Sequence, residues 1–288
     1  MLHYIITRFN LRLWTHNKTG KIIEREKWLE RRFDLFEKYC LPSVIAQTNK
    51  NFTWFLLFDN ETPEKYKDRV KAYKSAFPQI KLIGVNPAYS TQFISIIQDI
   101  VRNHAREHLK SHPDEDTLIT TYLDNDDALR YDFVEKVHKV ASTEEPRTFI
   151  SFVNGIQYYT ELKIATRIKY RNNHFISFTE SLEDISKLMT VYGFGSHFYI
   201  DTFTNCKHHY IDSDPMWVEV VHEENVDNDV KMTLHTKLFF DKKKMECFGN
   251  QLEISRHSKT IFLSKFVWRW IRQLIRRTID KIKGNGMT

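Results

Sequence analysis

Three carboxylates fall within four positions at Asp124, Asn125, Asp126 and Asp127, directly after the apolar run Thr117–Leu123. Carboxylates crowded on one turn repel each other, and a hard divalent cation with oxygen ligands offsets that charge. Such ions are bound through one or two carboxylates together with substrate phosphates. There they act as Lewis acids on the charge that builds on a leaving phosphate. A solvated acidic turn, with Asp127 capping a helix over Tyr131, accounts for the same residues without any chemistry. What separates the two readings is where the fold places the turn.

The rest of the chain removes several competing chemistries. Only 8 glycines occur in 288 residues. No glycine-rich phosphate loop ends in Gly-Lys-Ser or Gly-Lys-Thr, and no three-glycine dinucleotide fingerprint follows the first strand. Gly193-Phe194-Gly195 lacks the third glycine, which leaves P-loop and dinucleotide-dehydrogenase readings without support. There is no His-Glu-x-x-His helix and no Gly-x-Ser-x-Gly elbow. Cys40, Cys206 and Cys247 are odd in number and far apart, which argues against a zinc ribbon, a thioredoxin-like site or a disulfide framework and favours a reducing cytoplasm. Aromatics make up 14% of the chain. That surplus suits a well-filled core and equally a cleft whose flat rings cover sugar faces.

The positioning elements alternate. Leu2–Phe9 and Phe52–Phe58 read as strands, the second ending at Asp59. Ile80–Val85 and Thr117–Leu123 read the same way. Between them lie helical patterns over Glu26–Tyr39, with Pro42 as a kink or stop, over Pro63–Phe77 with Thr62 as N-cap, and over Thr91–Leu109; Tyr131–Ala141 comes after. This alternation predicts an α/β fold with a parallel sheet, and ligands bind beyond the carboxyl ends of such strands. Asp59 and Asp124 both lie at that edge. After Arg147 the pattern shifts to short strands at Thr148–Val153, Ile156–Tyr159 and Ile164–Tyr170, with a turn at Asn154-Gly155 and a helix over Thr179–Met189.

The strand followed by Leu123-Asp124-Asn125-Asp126-Asp127-Ala128-Leu129 resembles the D-x-D site of GT-A glycosyltransferases. Residues 1 to about 250 further resemble a bacterial family of putative rhamnosyltransferases. The stretches that carry this are Thr7-Arg8-Phe9-Asn10, Trp28-Leu29-Glu30-Arg31-Arg32-Phe33, Leu41-Pro42-Ser43-Val44 with Gln47, Phe52-Thr53-Trp54 leading to Phe58-Asp59, Asp124–Leu129, and Met216–His222 with Asn225. The resemblance implies a GT-A-like domain over 1–258, mostly parallel in its central sheet and flanked by helices, with 1–147 binding the nucleotide-sugar and 148–258 facing the acceptor. It implies a metal-dependent transferase, using Mn²⁺ or Mg²⁺, that moves a sugar such as rhamnose onto a bacterial surface glycan. Asp59 would then meet the nucleoside, Arg8 the base or a phosphate, and Asp124 and Asp126 the metal and donor sugar. Asp127 completes the acidic set, and His222 would serve as a late metal or diphosphate ligand. One of Arg31 and Arg32 would be solvated and the other turned inward. An inverting enzyme of this type needs a carboxylate base, for which Asp212 and Asp214 have suitable spacing. Asp214 is favoured because Pro215 would open a Trp-bearing helix with the carboxylate at its positive end; the plainer alternative is a simple N-cap. Gly193–His197 would shape the acceptor pocket.

Net charge is +6 and uneven. From Lys259 onward, Lys259, Lys265, Arg269, Arg272, Arg276, Arg277, Lys281 and Lys283 stand against Asp280 alone, a net +7 that leaves about −1 for 1–258. A nucleic-acid-binding body would itself be basic. Phe262–Lys283 reads as an amphipathic helix within the 259–288 tail, with Leu263, Phe266, Val267, Trp270, Ile271 and Leu274 opposite the basic residues. That pattern predicts peripheral attachment to the inner face of the cytoplasmic membrane, near lipid-linked saccharide acceptors, unless the helix packs on the catalytic domain. The first residues read as a strand and not as a signal peptide, and no apolar run is long enough to span a bilayer. Two rival functions remain: a sugar-phosphate nucleotidyltransferase, which needs an early glycine-rich loop missing near Arg8, and a non-catalytic relative that binds a glycan or partner.

Overall fold

Strands buried on both faces carry mostly uncharged residues at consecutive positions, as β1 (Leu2–Arg8), β2 (Thr53–Asp59) and β4 (Thr117–Tyr122) do, while β3 (Ile80–Val85) is an edge strand with Lys81 and Gly84 exposed. The computed structural model describes residues 1–16, 20, 22–222, 236–249, 252–258, 260–264, 267–268, 270–272 and 274–275. In it the four strands pair in parallel in the order β3-β2-β1-β4, with Ile5 opposite Trp54 on one side and Thr121 on the other. Successive side chains alternate between two cores. Ile5, Trp54 and Leu56 meet Phe33, Phe36 and Phe133 on one face, while Tyr4, Ile6 and Phe55 meet Ile97 and Val101 on the other. The α/β expectation and the parallel central sheet both hold.

The connecting helices are α1 (Arg25–Leu35), α2 (Leu41–Ile45), α3 (Glu64–Ala76), α4 (Phe93–Ser111) and α5 (Phe133–Ala141). A single π-helical turn, Phe36–Cys40, joins α1 to α2 without a break, and Pro42 follows it at the second position of α2. Pro63, and not Thr62, is the N-cap of α3; the Thr62 hydroxyl instead donates to the Asp59 carbonyl at 2.6 Å.

After a short β5 (Ala128–Leu129) the chain builds β6 (Thr148–Phe152), β7 (Asn154–Tyr159), β8 (Ile164–Lys169), β9 (Ser177–Ser181), β10 (Lys207–Ile211), β11 (Trp217–Val221) and β12 (Lys237–Leu238). The first sheet runs β10-β6-β9-β4-β1-β2-β3, with β9 antiparallel to both β4 and β6. A second sheet runs β12-β8-β7-β11-β5. Three expectations are corrected here. Thr179–Met189 is not a helix: Ser177–Ser181 is a strand, and the residues from Leu182 to Met189 hold a single 3-10 turn at Ile185–Lys187. Asn154-Gly155 opens β7 instead of forming a turn.

The third correction concerns Pro215. It opens no helix, because Trp-Val-Glu-Val-Val is a β-branched run buried at every position of β11. The Trp217 ring lies flat over Gly155, where an added Cβ would come within 2.2 Å of it. That ring stacks on Phe175 at 4.7 Å, and its N–H donates to the Phe152 carbonyl at 2.7 Å.

The described positions from Ser258 to Ile275 are helical. Ile261 and Phe262 pack on Tyr159, Ile164 and Val221. Beyond them Leu263, Val267, Trp268, Trp270, Leu274 and Ile275 are each 42% to 58% exposed. Lys259, Lys265, Phe266, Arg269, Arg276, Arg277, Asp280, Lys281, Lys283 and Asn225 lie outside the described residues. Among the described residues no helix is long and apolar enough to cross a membrane.

Candidate active site

The carboxyl ends of β1 and β4 deliver Arg8 and the Asp124–Asp127 turn to one side of the sheet. Backbone contacts fix the turn: Leu123 N–H donates to the Ile6 carbonyl, and the Asn125 side-chain amide donates to the Phe9 carbonyl at 2.5 Å. These contacts bury Asn125, Asp126 and Asp127 at 5% exposure or less, while the Asp124 side chain keeps 33%. The alternative of a solvated acidic turn does not hold, because most of the turn is interior and Asp127 caps no helix, since β5 follows it directly. A cleft of about 460 Å³ opens above the turn.

Each carboxylate has a different environment. Asp126 Oδ2 accepts from Arg32 at 2.6 Å and lies 2.9 Å from His222 Nε2. Burial works against its charge, but Arg32 and His222 outweigh that and hold its carboxyl well below the ordinary range. Asp127 Oδ1 accepts the Val220 N–H at 2.8 Å, and its Oδ2 lies 2.8 Å from His174 Nε2. Burial, with Asp126 and Asp124 adding repulsion, raises the Asp127 carboxyl above its ordinary value despite the His174 hydrogen bond. For His174, burial opposes the imidazolium, yet the hydrogen bond and charge of Asp127 win and raise it. Asp124 faces the cleft with Arg8 at 3.4 Å.

Donor atoms of Asp124, Asp127 and His174 all lie within 4.8 Å of one another, so this Asp-Asp-His cluster can hold a metal ion. The residues fit one chemically. Two oxygen donors and one nitrogen suit a divalent cation, and a cation there would offset the burial and the Asp126 and Asp124 repulsion that raise the Asp127 carboxyl. The set differs from the expected one. The cluster brings His174 to Asp124 and Asp127, while Asp126 sits between Arg32 and His222 in a buried ion pair.

Arg8 is held in an aromatic box, its guanidinium 4.9 Å from the Phe93 ring centre, 5.0 Å from Tyr122 and 5.6 Å from Tyr192. It also donates to the Tyr122 hydroxyl. Its Nε is buried without a hydrogen-bond partner. A cation so placed at the cleft wall is ready to meet an anionic ligand. Arg32 is the inward arginine of its pair; Arg31 is 45% exposed and reaches Glu161.

The remaining expected residues are not brought to the cleft lining. Asp59 is 3% exposed, and its Oδ2 accepts from Arg12 at 2.7 Å and Arg25 at 3.1 Å, while its Oδ1 accepts the Glu61 N–H. It organises the ends of β1 and β2 from behind the wall. Asp212 pairs with Lys169 at 2.5 Å and Asn154 at 2.6 Å, and Asp214 pairs with Lys244 at 2.5 Å. Both are surface carboxylates kept acidic first by those lysine hydrogen bonds. With β11 in place of a helix, Asp214 also has no helix dipole behind it. His174 escaped the sequence reading because Asn173-His174-Phe175 carries no spacing signal; only the fold puts it beside Asp127.

A family model described as putative rhamnosyl transferase matches residues 4–234. No curated protein matches the chain.

Proposed function

Because this chain belongs to the putative rhamnosyl transferase family, we propose that it is a metal-dependent, GT-A-type glycosyltransferase that moves rhamnose or a similar sugar from a nucleotide-sugar donor to a glycan. The observation that carries this reading is the Asp124–Asp127–His174 cluster, of which Asp124 and His174 line the cleft beside a boxed Arg8 and Asp127 lies buried behind them. Asp124, Asp127 and His174 would hold Mn²⁺ or Mg²⁺, which supplies Lewis-acid neutralisation of a diphosphate. Arg8 supplies a fixed positive charge to the same anion, and its aromatic box limits reorganisation when that anion arrives. Asp126, paired to Arg32 and His222, holds the turn in shape. The apolar wall at Leu11, Leu13 and Trp28 excludes water around the donor.

The direct test is donor hydrolysis. Among UDP-, GDP- and dTDP-sugars, one should be hydrolysed with Mn²⁺ or Mg²⁺ and spared in EDTA, and that donor with metal should raise the melting temperature. No hydrolysis and no thermal shift with any of them would leave a non-catalytic binder as the better account.

The tail supports peripheral membrane attachment as part of the same function. Beyond Ile261 and Phe262, which pack on the domain, Leu263, Val267 and Trp270 are each about half exposed, and the 259–288 segment carries a net +7. A basic helix with an exposed Trp-bearing face partitions into an anionic interface, which brings the cleft to lipid-linked saccharides at the inner leaflet. Leu263→Glu with Trp270→Glu should abolish co-sedimentation with phosphatidylglycerol vesicles while leaving the melting temperature unchanged. Wild-type binding should weaken as salt rises. Wild type that ignores anionic vesicles would rule the attachment out, and a double variant that also unfolds would make the helix part of the core.

A further inference from the structure

The segment between β9 and β10 forms one wall of the cleft, and its construction is unusual for a loop. At its base the buried carboxylate of Glu180 accepts the backbone N–H groups of Met189 at 2.7 Å and Thr190 at 2.8 Å. Thr190 is held at φ 63, a region that β-branched residues avoid, and Val191 N–H donates to Thr120 Oγ1 at 2.8 Å. Phe194 then plugs into Phe149, Phe178 and Phe203. Gly195, at φ 73, turns the chain back over the cleft. On the far side His197 bonds the Asn172 carbonyl, and the Asn172 amide reaches Asp201 at 2.8 Å.

All this anchoring leaves one fully apolar ring outside. Phe198 lines the cleft yet is 56% exposed. It stands 4.2 Å, centre to centre, from His197, which in turn lies 5.6 Å from His174 of the Asp-Asp-His cluster. Arg8, the cation suited to the diphosphate, lies among Phe93, Tyr122 and Tyr192 instead.

We infer that Phe198 is the platform for the acceptor sugar, stacking under the apolar face of a pyranose whose hydroxyl is presented to the reacting centre. The inference rests on the transferase reading above and specifies which wall serves the acceptor. A rigid strap with an exposed ring loses little freedom on binding, so the area covered when a sugar docks converts efficiently into affinity. The ring takes no part in bond making. It positions the acceptor, and its removal acts on the acceptor's KM more than on the donor.

The experiment uses the full-length protein with the donor identified by the hydrolysis screen and methyl α-L-rhamnopyranoside as acceptor probe. Phe198→Ala should raise the probe's KM about 10-fold, the effect of removing one to two kcal/mol of contact. Donor hydrolysis and donor KM should stay within about twofold, and Phe198→Trp should restore the probe's KM. Saturation-transfer NMR of the probe with unreacted protein supplies an independent readout, lost in Phe198→Ala and kept in Phe198→Trp. A donor KM that rises in place of the probe's, or probe contacts that survive Phe198→Ala, overturns the assignment. A wild type that hydrolyses no donor but loses probe contacts in Phe198→Ala refutes the transferase reading and leaves the sugar platform standing.

Discussion

His174→Ala is expected to lower metal-dependent donor turnover by about 10²–10⁴-fold, the range that loss of a few kcal/mol of Lewis-acid stabilisation implies. The sequence alone points to His222 as the late histidine ligand, whereas the structure sets His174, and not His222, within the cluster that can hold an ion. Mn²⁺ titration followed by electron paramagnetic resonance discriminates the two. His174→Ala and Asp124→Ala should each weaken Mn²⁺ binding strongly, because each removes one of three clustered donors. His222→Ala should leave Mn²⁺ binding largely intact and lower the melting temperature, since His222 is buried against Asp126 at 2.9 Å. The reverse pattern, with Mn²⁺ lost in His222→Ala and retained in His174→Ala, would falsify the proposed ligand set.

The difference between these histidines shows what a sequence of this kind makes legible. The inner strands β1, β2 and β4 were readable because burial on both faces favours long apolar runs, and Asp124 follows from its place at the end of one of them. The membership of Asp124 and Asp127 in the cluster needs only local chain geometry. His174 needs the second half of the chain to fold back so that the residues before β9 meet the β4 turn, and no periodicity encodes that. The helix expected after Pro215 failed for a related reason. Pro215 followed by Trp217 is a fair helix-start signal, but Gly155 offers the Trp217 ring a flat seat, and tertiary packing decides for a strand. Arg31 and Arg32 were readable as a pair with one member inward. Which one, and that its partner is Asp126, depended on how α1 lies across the turn.

Asp126→Ala is expected to destabilise the fold by about 3–5 kcal/mol, more than a solvated acidic residue would, because it strips a buried Arg32 of its carboxylate. Arg32 has 11% of its side chain exposed and Asp126 7%, so little water reaches the guanidinium left behind. For a chain of this size the melting temperature should fall by roughly 10 °C. Arg32→Met combined with Asp126→Ala should cost less than the sum of the two single changes, since the double variant buries no lone charge. The pH dependence has a definite sign. The folded-state carboxyl of Asp126 sits below its ordinary value of 3.8, so its stabilising contribution is complete above about pH 5 and declines as pH falls below that value toward the folded one. The stability gap between wild type and Asp126→Asn should therefore be widest near neutrality and shrink in acid. Thermal denaturation of both proteins across that range measures it. An Asp126→Ala protein that melts within a degree of wild type while losing Mn²⁺ would instead make Asp126 a metal ligand and Arg32 a bystander.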